Sequence, residues 1–178
     1  MLMERILGAF TFRRQVYADV EQDSSFTSTA WAIVAVVALV VQIPGYFVAE
    51  SAGAWMIAAV LGAGFSVLGF ALGAFVISWV GKSMFEADVS FDEMVRTLGL
   101  AYVWTIIGVI PVIACVSWIA GLAAWFIATQ EALDLDTGKT IITVIIGWVV
   151  VFLVSAVAGV ILGVLGLGAA GILGALGS

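Results

Sequence analysis

Twelve carboxylates, six bases and a single cysteine, Cys115, make up most of the ionisable chemistry of this chain, and histidine is absent. Without histidine no His-based triad, metalloprotease motif or His-ligated haem or pigment can be built from these residues. A lone cysteine supports neither a cysteine metal cluster nor an internal disulfide. Asp134 and Asp136 with Gly138 share part of a calcium-loop spacing, but the remaining ligands and the terminal Glu are missing. Glu86, Asp88, Asp92 and Glu93 form the densest acidic group, which either docks a basic partner or cation or simply solvates a loop. No nucleophile, base and acid are gathered at one place, so this reading assigns no catalytic residue, no metal ligand and no cofactor.

Polar side chains inside the apolar stretches are few, led by Gln42, Ser66, Ser78, Thr105, Thr143 and Ser155. They could line a pore or substrate track, or they could hydrogen-bond between packed helices, and the packing reading leads. Gln42 stands two residues before Pro44, where its amide could satisfy a backbone group released by the proline. Small residues recur at helical spacing in Gly69-x-x-x-Gly73 and again in Ser155, Gly159 and Gly163. Such faces let helix backbones approach closely, within the chain or against another subunit.

The elements that carry these residues follow from composition. With 64% hydrophobic and 10% charged residues and a mean hydropathy of +1.26, the chain cannot cover a water-soluble globule of its size and belongs in a bilayer. Its apolar runs are apolar on every face, which selects spanning helices over a barrel. The expected fold is all-α: a polytopic membrane helix bundle of five transmembrane helices, preceded by an interfacial amphipathic helix. Residues 1–29 form the cytoplasmic or interfacial segment, with Met3, Ile6, Leu7, Phe10, Val16, Tyr17 and Val20 near helical spacing. Residues 30–165 form the bundle, and residues 166–178 an uncharged, glycine-punctuated tail.

The spans are expected at about residues 30–47, 55–80, 97–112, 116–130 and 140–165. One continuous helix from Met94 to Leu133 would reach roughly 60 Å, twice the hydrocarbon thickness, so this stretch must fold back, near Pro111. Five crossings put Arg5, Arg13, Arg14, Lys82, Arg96 and Lys139 on one side, with eleven of the twelve acids, leaving Glu50 alone on the other. By the positive-inside rule that side is cytoplasmic, which places the amino terminus inside and the carboxyl terminus outside a cell membrane. Most of the tryptophans fall near span ends as interfacial anchors, whereas Trp148 sits deeper and packs. A net charge of −6 gives no platform for nucleic acid.

The amphipathic start, five unequal spans and polar second internal loop are accompanied by Gly81-Lys82 and by Phe91-x-Glu93-x-x-Arg96-x-x-Gly99-x-Ala101-Tyr102 leading into span three. In these features the chain resembles the Yip family of five-span membrane proteins, over about residues 5–165, and a bacterial relative fits better than the eukaryotic members with long cytosolic extensions. Where the family commonly has a proline after that tyrosine, Val103-Trp104 stands here. The resemblance implies a cytoplasmic amino terminus, in agreement with the charge distribution. The expected function is non-enzymatic binding: a scaffold or an accessory subunit of a larger membrane complex, respiratory or photosynthetic assemblies included. Its partners would be the lipid bilayer and other membrane-protein subunits, with Phe91, Glu93, Arg96 and Tyr102 forming a docking surface. A small transporter or channel, with a water-lined path near Gln42 and Thr105, is the rival from another class.

Overall fold

A computed structural model of the chain describes residues 2–165; the expectation for the tail at 166–178 lies outside them. Two short helices, α1 (Leu2–Phe10) and α2 (Arg14–Gln22), precede α3 (Phe26–Val40), which tightens into a 3₁₀ segment at Ile43–Val48. The long helix α4 (Ala52–Phe85) is followed by α5 (Phe91–Ala101), a 3₁₀ stretch at Tyr102–Val109 and a short 3₁₀ turn at Pro111–Ile113. The helices α6 (Ala114–Leu133) and α7 (Thr137–Val164) complete the described residues, which contain no strand.

Among the described residues, four segments are long and apolar enough to cross a bilayer: Phe26–Val48, Ala52–Phe85, Ala114–Leu133 and Thr137–Val164. The third expected span is not one α-helix, because α5 gives way to the tighter 3₁₀ form at Tyr102. The fold-back comes where the proline was expected to force it: Ile110 leaves the helical region at ψ 102°, and α6 then packs along both α5 and the 3₁₀ stretch.

Helix ends follow local chemistry. Ser90 and Glu93 close a reciprocal capping box at the start of α5, satisfying two of the helix's unpaired N–H groups. Asp136 accepts from the N–H groups of Gly138 and Lys139 at 3.0 and 3.1 Å, so it is the cap of α7. Ahead of α3, Asp23 accepts from both the backbone N–H and the hydroxyl of Ser25.

The amino-terminal segment is two helices folded against each other, where the apolar spacing alone suggested one. The chain turns at Phe12, whose φ is 54°, and the Thr11 hydroxyl donates to the carbonyls of Leu7 and Gly8 at the end of α1. Gly8 is required at the crossing because a β-carbon there would run into Val16 of α2. Trp104 holds the corner: its indole N–H donates to Ala9 O at 3.1 Å, and Phe12 stacks on its ring at 4.8 Å.

The centre of the bundle is built on Phe70 of α4. Trp31 of α3, Tyr102 of the 3₁₀ stretch and Trp125 of α6 meet its ring edge to face, with centroids 5.6, 5.5 and 6.3 Å away, the arrangement that aromatic quadrupoles favour. Helices α4 and α7 run antiparallel through small-residue contacts. Gly69 faces Val154, Gly73 faces Val151, and Gly147 faces Ile77, so backbones approach where a larger side chain would hold them apart.

Candidate functional site

Two regions concentrate the polar chemistry of the described residues. The first is the charged end of the bundle. Arg96 is 6% exposed, and its Nε lies 3.0 Å from both the Val20 and the Glu21 carbonyl oxygens. Its Nη2 also donates to Glu21 O, and Nη1 reaches Thr27 Oγ1 at 3.2 Å. A guanidinium placed there satisfies the last carbonyls of α2, at the end of the helix where its dipole favours a cation. Arg14 reaches from the start of α2 to Glu131 and Gln130 of α6 at 2.9 and 2.8 Å. Arg5 of α1 pairs with Asp23 at 2.8 Å. At the same end Gly81 packs on Leu133, next to Lys82, and Lys139 lies over the Phe85 ring.

Electrostatics at this end are divided. Burial, reinforced by the carboxylates of Asp134, Glu93 and Glu131, pushes Glu21 above the usual carboxylate range, while Arg96 opposes the rise. Asp23 is held below that range by its bonds from the Ser25 and Arg5 side chains. The backbone N–H of Lys139 and the Lys139 charge depress Asp136 likewise. Burial raises the Tyr17 phenol, and its hydroxyl has no hydrogen-bond partner among the described residues.

The second region is a cavity of about 210 Å³ among α4, the 3₁₀ stretch, α6 and α7. Its walls are largely aromatic, with Phe65, Trp118 and Phe152 among them, and carry the hydroxyls of Ser66, Thr105, Ser117 and Ser155. Three of those hydroxyls are committed to backbone: Ser66 donates to Gly62 O, Ser117 to Trp104 O and Ser155 to Val151 O. The Trp148 indole lines the same space, and its buried Nε1 N–H has no acceptor among the described residues.

The four residues expected to form a docking surface are not brought onto one. Phe91 is 37% exposed and Glu93 partly so, but Arg96 and Tyr102 are buried, at 6% and 5%. The guanidinium is consumed by α2, and the Tyr102 ring fills the core against Phe70. Glu93 completes the capping box and approaches Arg96 only to 3.9 Å. Of the small residues, Gly69 and Gly73 pack against α7, Ser155 and Gly159 line the cavity, and Gly163 is exposed. Ser66, Ser78, Thr143 and Ser155 each bond a carbonyl of their own helix one turn back, and Ser66 also pairs with the Tyr102 hydroxyl of the 3₁₀ stretch.

Gln42 does satisfy a released carbonyl, that of Ala38 at 3.1 Å. As the chain tightens before Pro44, the Gln42 N–H turns to Leu39 O instead, leaving Ala38 O to the side chain. The cavity itself was not foreseen. Its available signal was the seven-residue spacing of Trp118 and Trp125 on α6, which puts both rings on the side facing Trp148.

The sequence model of the Yip1 domain matches residues 7–159. No curated protein and no solved structure matches the chain. The match runs from the middle of α1 to the last turns of α7 and so takes in the clamped amino-terminal helices, the Phe70 core and the cavity. With four helices among the described residues long and apolar enough to cross a bilayer, the chain is an integral membrane protein and belongs to the Yip1 domain family.

Proposed function

We propose that the protein acts without catalysis, by binding other membrane components, as a scaffold or an accessory subunit of a larger assembly such as a respiratory or photosynthetic complex. It resides in the cytoplasmic membrane of a bacterium and crosses it five times, α5 with its 3₁₀ extension being the short crossing. The amino terminus and the charged end lie in the cytoplasm, and the carboxyl terminus lies outside. The observation that carries the binding reading is the outer half of α7. Gly163 has open space where a side chain would stand, beside exposed Val160 and Val164. A neighbouring helix could approach closely along this face. At the cytoplasmic end, exposed Phe91 and Asp92 with Glu93 offer a smaller contact.

Extraction in mild detergent from native membranes, followed by affinity purification and mass spectrometry, should recover stoichiometric membrane partners; a lone monomer would overturn the reading. Topology is tested by cysteine labelling at positions 50 and 88 after replacing Cys115, which is exposed. Labelling from opposite sides is expected. The transporter or channel alternative draws on one observation, the cavity with Thr105 in its wall, while the Gln42 amide is engaged with Ala38 away from that cavity.

A further inference from the structure

Helix α1 is held on one side and bare on the other. Gly8 and Ala9 are buried, and Ile6 and Phe10 pack on the core, where Trp104 of the 3₁₀ stretch meets Ala9 O and the Phe10 ring. Leu2, Met3 and Leu7 are 47, 68 and 58% exposed. Met3, Leu7 and Thr11 follow one another at helical spacing and so share the outer side. Nothing among the described residues covers the three apolar side chains, a concentration that water does not favour on so short a helix.

The position of α1 says what does cover them. It lies against the 3₁₀ stretch through Trp104, and its Arg5 guanidinium stands 5.0 Å from the Phe26 ring. Phe26 opens the first apolar segment, so α1 sits at the level where the chain enters the hydrocarbon. Its bare side is continuous with the lipid-facing surface of the bundle.

That side also ends in a base. Arg13 is exposed and makes no ion pair or side-chain hydrogen bond among the described residues. Arg5, Arg14 and Lys139 are by contrast paired with Asp23, Glu131 and Asp136, and Arg96 with the α2 carbonyls. Arg13 shares one shallow groove with Met3, Leu7, Gly8 and Thr11. The Thr11 hydroxyl is committed to Leu7 O and Gly8 O, which leaves the guanidinium as the groove's available side-chain donor. Glu4, the one carboxylate in its wall, belongs to the first turn of α1 and is already engaged, so an anion would be received at the Arg13 end. An apolar stripe finishing in a guanidinium complements an acyl chain finishing in a phosphate, whose oxygens match the fork of N–H donors.

We propose that α1 lies in the surface of the cytoplasmic leaflet with Leu2, Met3 and Leu7 among the acyl chains, and that its groove holds an anionic phospholipid whose phosphate rests on Arg13. An anionic headgroup is favoured over a zwitterionic one because the latter brings its own cation toward the guanidinium. The inference rests on the cytoplasmic placement proposed above only for which leaflet is meant.

The test uses the full chain carrying Cys115→Ser, with a spin label at Leu7→Cys or, as a water-facing control, at exposed Gln15→Cys. Both are placed in nanodiscs of phosphatidylcholine with and without phosphatidylglycerol. The label at position 7 should collide more with oxygen than with a water-soluble nickel chelate, and the label at position 15 the reverse. Native mass spectrometry should find phosphatidylglycerol retained over phosphatidylcholine, and Arg13→Gln should cut that preference about fivefold with the thermal unfolding midpoint unchanged. A position 7 more accessible to nickel would overturn the proposal, as would equal retention of the two lipids by the chain and by Arg13→Gln. Spin–spin broadening between labels at position 7 would assign the face to a second copy and likewise overturn it. Labelling at positions 50 and 88 reads the topology independently, so a wrong leaflet and an empty groove are told apart.

Discussion

The guanidinium of Arg96 sits on the final carbonyls of α2, with Nε 3.0 Å from both Val20 O and Glu21 O, across more than seventy residues of sequence. With Arg14 and Trp104, this side chain attaches the amino-terminal pair of helices to the bundle. Arg96→Met should lower stability by about 2–4 kcal/mol, because it removes charge-assisted bonds and leaves buried carbonyls unpaired. Arg96→Lys restores a charge but not the planar fork that reaches α2 and Thr27 together, so it should recover only part of the loss. Thermal unfolding in detergent reads the total, and faster hydrogen exchange confined to residues 2–22 would locate it.

Gly73 and Gly163 belong to similar small-residue patterns but differ in what faces them. A β-carbon at Gly73 would come within 2.8 Å of Val151 and 3.3 Å of Trp125, while one at Gly163 meets nothing within 4 Å. Gly73→Val should therefore cost about 1–3 kcal/mol by overpacking, and Gly163→Val should leave the monomer's unfolding midpoint unchanged. Paired thermal melts decide it. A loss of co-purifying partner in Gly163→Val alone would mark the second face as intermolecular.

Gln42→Leu should destabilise by about 1–3 kcal/mol by leaving Ala38 O unpaired in an apolar setting. Gln42→Glu, of nearly the same shape, should do no better, since an ionised carboxylate cannot donate and a protonated one is needed to bond a carbonyl. Unfolding midpoints of both variants, measured from neutral to acidic pH, check this: Gln42→Glu should regain stability only on acidification.

Asp23 sets an acid limit for the tie between α1 and α2. Its carboxyl is held below the ordinary range by the bonds from Ser25 and Arg5. The stability it contributes is thus fully present above the ordinary aspartate value and is lost as pH falls through the lowered one. Glu21 runs the other way. Its value is raised, by burial first and then by Asp134, Glu93 and Glu131, so its contribution is full below the ordinary glutamate value and lost as pH rises through the raised one. Asp23→Asn should flatten the acid limb of an unfolding profile, and Glu21→Gln, which keeps the backbone acceptor for Arg96, should raise the neutral-pH midpoint.

The run lengths and the proline made most of the membrane-embedded helices legible, since apolar length and a fold-back near Pro111 follow from bilayer thickness and backbone chemistry. The capping role of Glu93 was hidden by its charge, although Ser90-x-x-Glu93 is a capping-box spacing. The burial of Arg96 was not legible, because its acceptors are main-chain carbonyls of α2, which no pattern of side chains announces. The corner at Phe12 was missed for a similar reason: Thr11 and Trp104 cap it through backbone carbonyls, and Phe12 adopts a positive φ that sequence alone reserves for glycine or asparagine. The cavity escaped because it arises from space left between helices, and each of its walls looks like ordinary membrane core.

The rings that close on Phe70 come from positions 31, 102 and 125, and Arg14 finds its acid 117 residues downstream, at Glu131. Synthesis therefore delivers the amino-terminal helices well before the residues that hold them, Arg96, Trp104 and then Glu131. Val16, Tyr17 and Val20, buried in the finished fold, are covered by segments that follow them by seventy residues or more in the chain.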